Sequence, residues 1–389
     1  MVYDSVQIGV QHRFKQTGLP YVLENGFSVE NSDGEVGELT IDPGIEVRVE
    51  NGFYVFGKLK ALGTPTQPIL LTGLTQQPGG WDGLRVGGGT AELDYVTIEY
   101  GGDATQDWGG NLNVSSAVIT MTNSILRNSG SHGIFSDGGS PDEFISVNVS
   151  NTTITGSRLA AIVCADESCN YNFNNLTVNG NGTDGIVYRS FAMASGTWRN
   201  FGLPYIIEGQ GGVGQNAVLT IEPGVEVRMA QDASFAVDGV LSAVGTPEKP
   251  VFFTGTQQQA GWWKGIQIAG NGVAELRYCD IGYGGNWGQP DAGAMLMTQS
   301  SSLALSNCRI HDSSSTGIMV VSGAKPTIHN NSIENNKIGL MAIFPLEQVD
   351  ARFNWWGHAS GPQHENNPNG QGQEIVGEKP MDLKRAVGF

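Results

Sequence analysis

The chain has 389 residues, of which 39% are hydrophobic, enough to bury a large core. Its formal charge is −17, from 21 Lys and Arg against 38 Asp and Glu, so it lacks the clustered cations that nucleic acid and anionic membranes require, and no apolar run approaches the ~20 residues of a membrane span. The 56 glycines, about twice the average ~7% usage, follow no Gly-X-Y period, which excludes collagen; they fall between short apolar runs, as in an all-β chain with many turns.

The first residues, Met1-Val2-Tyr3-Asp4-Ser5, do not read as a signal peptide. The abrupt start is compatible with further coils before it in a longer parent chain. Gly18-Leu19-Pro20-Tyr21-Val22 comes next, and it recurs in the second half of the chain as Gly202-Leu203-Pro204-Tyr205-Ile206. Leu39-Thr40-Ile41-Asp42-Pro43-Gly44 recurs as Leu219-Thr220-Ile221-Glu222-Pro223-Gly224, and Gly63-Thr64-Pro65 as Gly245-Thr246-Pro247. Gly80-Trp81-Asp82-Gly83 aligns with Trp262-Trp263-Lys264-Gly265, and Ala91-Glu92-Leu93-Asp94-Tyr95 with Ala274-Glu275-Leu276-Arg277-Tyr278. Residues 1–190 therefore read as one copy of a repeat of roughly 182 residues and residues 191–389 as a second, with short insertions at turns.

A shorter period lies inside each copy. Asn123, Asn151 and Asn175 each open an apolar run that leads to Gly133-Ile134, Ala161-Ile162 and Gly185-Ile186 in turn. Asn307 and Asn331 continue the pattern in the second copy. A period this short predicts coils of about three strands, each too small to bury its own apolar side chains. Stacked in parallel ~4.8 Å apart, such coils share one core of like-on-like ladders. Leu93, Val96 and Ile98 are predicted to point inward, with Leu276, Cys279 and Ile281 in the matching coil. Asn and Gly at the corners tolerate positive φ, and Asn can bond like to like along the stack. The six Asn-x-Ser/Thr triplets, at Asn113, Asn148, Asn151, Asn175, Asn181 and Asn330, read as by-products of this corner chemistry rather than as glycan acceptors. Cys279 and Cys308 share one coil position and are expected to stack in the core as free thiols.

These motifs resemble a large family of bacterial and archaeal secreted right-handed parallel β-helix repeat proteins. The carrying residues are Pro20-Tyr21-Val22, Asp42-Pro43-Gly44, Trp81-Asp82-Gly83-Leu84 and Tyr100-Gly101-Gly102, with their second-copy equivalents. The ending resembles the family as well, through Asn354-Trp355-Trp356-Gly357 and Ser360-Gly361-Pro362. The resemblance implies an all-β, right-handed parallel β-helix, one continuous solenoid closed by residues 354–389, in a secreted or cell-surface setting. It also implies an oxidising compartment, in which Cys164 and Cys169 are expected to form a disulfide. It is silent on function, because adhesins, lyases, hydrolases and inert stalks share the fold.

Two sets of residues are candidates for chemistry. Trp81, Tyr100, Trp108, Trp263, Tyr283 and Trp287 occupy matched or nearly matched places and could form stacking platforms for sugar rings, or could fill corners of the core. Asp137, Asp142, Glu143, Asp166, Glu167 and Arg189 fall in successive loops of the first copy, where they could hold Ca²⁺ or serve a polysaccharide lyase, or form a solvated acidic loop. No zinc, calcium-loop or nucleophile-elbow motif is present, and no cofactor or metal is assigned; His358 and His364 flank the closing loop. The favoured expectation is a non-catalytic surface module binding a polysaccharide or cell-surface glycan, with end-to-end self-association as a variant. The alternative is a polysaccharide lyase or glycoside hydrolase.

Overall fold

The computed structural model describes the chain apart from residues 1, 5–6, 9–10, 33–34, 139–144, 166–168, 190–193, 289–292, 300, 322, 346–348 and 378–389. The chain divides into two compact units, Met1–Val187 and Tyr188–Phe389. Among the described residues there is no helix, and the strands of both units pair almost wholly in parallel. Each unit is a parallel β-helix whose successive coils lay one strand on each of three sheets.

In unit 1 the first sheet runs from Gln11–Phe14 to Cys169–Asn174, the second from Val2–Asp4 to Thr177–Asn179, and the third from Gln7–Ile8 through Ala160–Cys164. The core is a set of in-register ladders. Leu39, Leu59, Ala91, Ile119, Val147 and Tyr171 stack on the first sheet. Phe27, Phe53, Leu84, Leu112, Ile134 and Ile162 stack on the third. Each fully buried Leu or Ile contributes about 1.5–3 kcal/mol, but only when a coil above and a coil below cover it. Leu93, Val96 and Ile98 are buried as expected.

Unit 2 repeats the plan. Its first sheet runs from Gly196–Trp198 to Lys325–His329, its second from Tyr205–Ile207 through Ser332–Glu334, and its third from Gln210–Val213 to Ile338–Ile343, closed by Gly372–Gly377. Leu276, Cys279 and Ile281 are buried. Cys279 and Cys308 are free thiols in that core, and the Cys279 backbone N–H donates to Cys308 Sγ at 3.3 Å. Below them the ladder turns polar: Cys308 N–H donates to Asn331 Oδ1 at 2.9 Å, and Asn331 N–H to Asn354 Oδ1 at 2.8 Å. Asn354 and Trp356 are buried at the closing end.

In the later coils of each unit, one residue with positive φ turns the chain from first strand to second. In unit 1 these corners are Tyr95, Asn123, Asn151 and Asn175, with φ between 48° and 51°. In unit 2 they are Tyr278, Asn307, Asn330 and Phe353, at 51°, 55°, 58° and 62°. The unit 1 amides bond along the stack as predicted, Asn151 Nδ2 to Asn123 Oδ1 at 3.3 Å and Asn175 Nδ2 to Asn151 Oδ1 at 2.9 Å.

Matched residues of the two units also make matched contacts. Tyr21 Oη donates to Lys15 O at 2.8 Å and Tyr205 Oη to Arg199 O at 2.9 Å. Thr64 and Gln67 exchange backbone hydrogen bonds, as do Thr246 and Lys249. Cys164 and Cys169 are joined by a disulfide.

Candidate functional site

The sheet positions that point outward decide what the solenoid presents. On the third sheet of unit 1, Tyr54, Arg85 and Asn113 are in register on consecutive strands. That places their side chains on one face at rung spacings of ~4.8 Å. A loop between the second and third strands of the next coil brings Trp108 over this row, with the Arg85 guanidinium carbon 5.9 Å from the ring centroid.

The loop is held from several sides. Asp103 Oδ1 accepts from both Thr105 N–H and Thr105 Oγ1 at 2.7 Å, and these bonds hold its carboxyl below the ordinary range. Arg158 Nη2 donates to Gln106 O at 2.7 Å while its Nε donates to Gly130 O at 2.6 Å. His132, fully buried, accepts at Nδ1 from Ala160 N–H, so Nε2 carries the proton and donates to Asp107 O at 2.9 Å. Trp108 is thus fixed in place yet 48% exposed.

The polar groups beneath the ring differ in character. Tyr54 Oη donates to Asp82 Oδ2 at 3.2 Å. Burial, then the Asp82 charge, raises the phenol pKa above its ordinary value, so it remains a donor. Asn113 is 2% exposed; its Nδ2 donates to Asp82 O and Gly110 O, both at 3.1 Å, while its Oδ1 has no partner. Arg85 has no carboxylate within ion-pair distance among the described residues. The patch therefore combines an exposed aromatic face, an uncompensated cation, a phenol–carboxylate pair and a buried acceptor.

Other predicted platform residues behave differently. Trp81 and Trp263 are 2% and 0% exposed, so they are core residues and cannot stack on a ligand. Each indole N–H is spent on a backbone carbonyl, Trp81 on Glu99 at 2.8 Å and Trp263 on Gly282 at 2.9 Å, because the wide loop before the third strand needs a large apolar side chain beneath it. Tyr100 and Tyr283 are half-buried corner residues with φ of 64° and 68°. Trp287 is half-buried and donates to Ala294 O at 2.8 Å within its own loop.

Of the acidic set, Asp142, Glu143, Asp166 and Glu167 lie outside the described residues. Asp137 follows the third-sheet strand His132–Ser136 in unit 1, its N–H donating to Val114 O at 3.0 Å. Arg189 belongs to unit 2, where it pairs with Glu208 at 3.3 Å. His358 Nδ1 contacts Ser360 Oγ at 2.8 Å, and His364 Nδ1 accepts from Asn366 N–H. Among the described residues no group of three or more His, Cys, Asp or Glu could hold a metal ion.

Sequence reading selected Trp108 but missed Tyr54, Arg85 and Asn113. The signal was available: the three lie one coil apart in the chain, which puts them on consecutive rungs once the coil period is known. It also missed a charged cluster in unit 2. His311, 3% exposed, has Nε2 at 2.8 Å from Asp280 and Nδ1 at 2.7 Å from Asp312. Burial disfavours its charged form, yet the hydrogen bonds it donates to the two carboxylates outweigh burial and raise its pKa above 6.5. Arg309 completes the cluster, 2.9 Å from Glu334 and 3.8 Å from Asp280.

Compared with known proteins, residues 251–350 match the family model for a right-handed β-helix region. No curated protein and no solved structure matches the chain.

Proposed function

We propose that this protein is a non-catalytic, extracellular or cell-surface β-helix module that binds an acidic polysaccharide. The Trp108 platform carries the reading. The flat C–H-rich face of a pyranose suits an indole ring whose face is negative, and Arg85 beside it supplies a cation for a uronate carboxylate. Asp82 and Tyr54 offer an acceptor and a hydroxyl, and the buried Asn113 beneath them holds the Asp82 backbone through its Nδ2. A glycosidase needs two carboxyl groups ~5–9.5 Å apart across the scissile bond. Among the described residues hydrogen-bonded to the Tyr54–Arg85–Asn113 row, Asp82 is the one carboxylate, and it is engaged by Tyr54, which favours binding over cleavage.

Calorimetry with oligogalacturonate and alginate oligomers, against neutral oligomers, tests this. Trp108→Ala should weaken binding at least tenfold, and Arg85→Met should remove the preference for acidic chains. Release of reducing ends or unsaturated uronates would replace the binding reading with the lyase or hydrolase alternative. Undiminished affinity in Trp108→Ala would overturn the site.

A further inference from the structure

We infer that unit 2 carries a second binding groove, built for a neutral saccharide of about three sugar units, along the column of corners Tyr278, Asn307, Asn330 and Phe353. The corners are stacked in register, since Arg277 pairs with Ser306, Ser306 with His329, and the following rung bridges Ser332 to Trp355. At ~4.8 Å per rung the column spans about 14 Å.

The contrast with unit 1 shows why this column is open. There the corner amides are consumed internally: Asn123 Nδ2 donates to Asp94 Oδ1 at 2.9 Å, and Asn151 and Asn175 continue the chain. In unit 2 the residue matching Asp94 is Arg277, which offers no acceptor, and Phe353 occupies the rung beyond Asn330. Asn307 and Asn330 accordingly make no side-chain hydrogen bond among the described residues. Together with Tyr278 they line a groove of about 340 Å³, walled by Pro247 and Pro250.

That set has the chemistry of sugar recognition. An Asn amide offers both an acceptor and donors, which matches a vicinal pair of hydroxyls. Tyr278 adds an aromatic ring to the groove lining beside the two amides, and Phe353, exposed, occupies the corner one rung beyond Asn330. The far rim is charged but internally balanced: Asp280 is held by His311, and Arg309 by Glu334. Among the described lining residues the one cation is Arg309, paired with Glu334, so the groove suits a neutral chain, unlike the Arg85 patch. Beneath the column, the Cys279–Cys308–Asn331–Asn354 ladder ties each rung to the next, so the corner backbones that carry the amides are held in register.

The groove is independent of the Trp108 platform, and either can fail without the other. Full-length protein is titrated calorimetrically with neutral gluco-, xylo- and manno-oligosaccharides of two to six units. Affinity should rise up to about three units and then level off. Glycine suits the positive φ of these corners, so Tyr278→Gly, Asn307→Gly and Asn330→Gly remove the recognising groups while preserving the turn. Tyr278→Gly should weaken binding at least tenfold and each Asn variant at least threefold, with Trp108→Ala unchanged. The inference is overturned if no neutral oligosaccharide binds, if the Gly variants bind as well as the parent, or if only proline-rich peptides occupy the groove.

Discussion

Gly282→Ala probes how the second unit builds its charged cluster. A Cβ at Gly282 would lie 2.6 Å from His311 Cε1 and 2.8 Å from Nε2. The imidazole cannot swing aside, because both nitrogens are held by carboxylates. Overpacking of this kind costs ~1–3 kcal/mol. Loosening an imidazolium from two carboxylates that are themselves partly exposed adds about 1 kcal/mol after allowing for solvent screening. Replacing a strand glycine returns ~0.5–1 kcal/mol. The net expectation is about 2 kcal/mol, or a fall in Tm of roughly 4–8 °C. The sign with pH follows from the raised His311 pKa: its contribution is complete below 6.5 and is lost as pH rises through the folded-state value. Above that value parent and variant both lack the charge, so only the steric part persists, at ~1 kcal/mol. Thermal unfolding of both proteins at about pH 5.5 and pH 9 reads this directly. An equal Tm difference at the two pH values, or none at the lower, would refute the account.

Two further outcomes follow from the core. Burial, reinforced by the neighbouring Cys308, pushes the Cys279 thiol well above its usual range, and both thiols are shut away from solvent, so neither should react with a disulfide reagent in the native protein at pH 8. Unfolding without reductant should release two reactive thiols, and reduction of Cys164–Cys169 should bring the count to four; rapid labelling of native protein would contradict this. Asn354→Ala should destabilise the closing end of unit 2 by about 2–3 kcal/mol, because Asn354 Oδ1 receives both Asn331 N–H and Asn331 Nδ2 while its own Nδ2 serves Ile328 O and Ala351 O. Local hydrogen exchange around residues 328–356 should rise first, and uniform exchange across the unit would argue against a local cap.

What the residues determine alone is periodic. Apolar positions that repeat once per short coil can be buried only by stacking, so the coil, its inward ladders and its Asn corners are legible in the residues themselves. Leu93, Val96 and Ile98 are buried, and the Asn123–Asn151–Asn175 amides bond in series. Aromatic residues were not readable in the same way. Trp81 and Trp108 are equally large and both sit in loops before a third-sheet strand, yet one is buried and the other stands in water. That difference depends on loop length and on distant anchors such as Arg158 and His132, which no local pattern reveals.

The outer faces depend on tertiary structure for the same reason. Tyr54, Arg85 and Asn113 become one patch only when three successive rungs, far apart in the chain, are laid side by side. The opposite behaviour of two nearly identical corner columns turns on single exchanges, Asp94 against Arg277 and an Asn rung against Phe353. Repetition in the chain specifies the scaffold, because burial is a property every coil must satisfy alike. The surface is under no such constraint, so what it can bind is decided by which side chains the stacking happens to bring together and which of them it leaves without a partner.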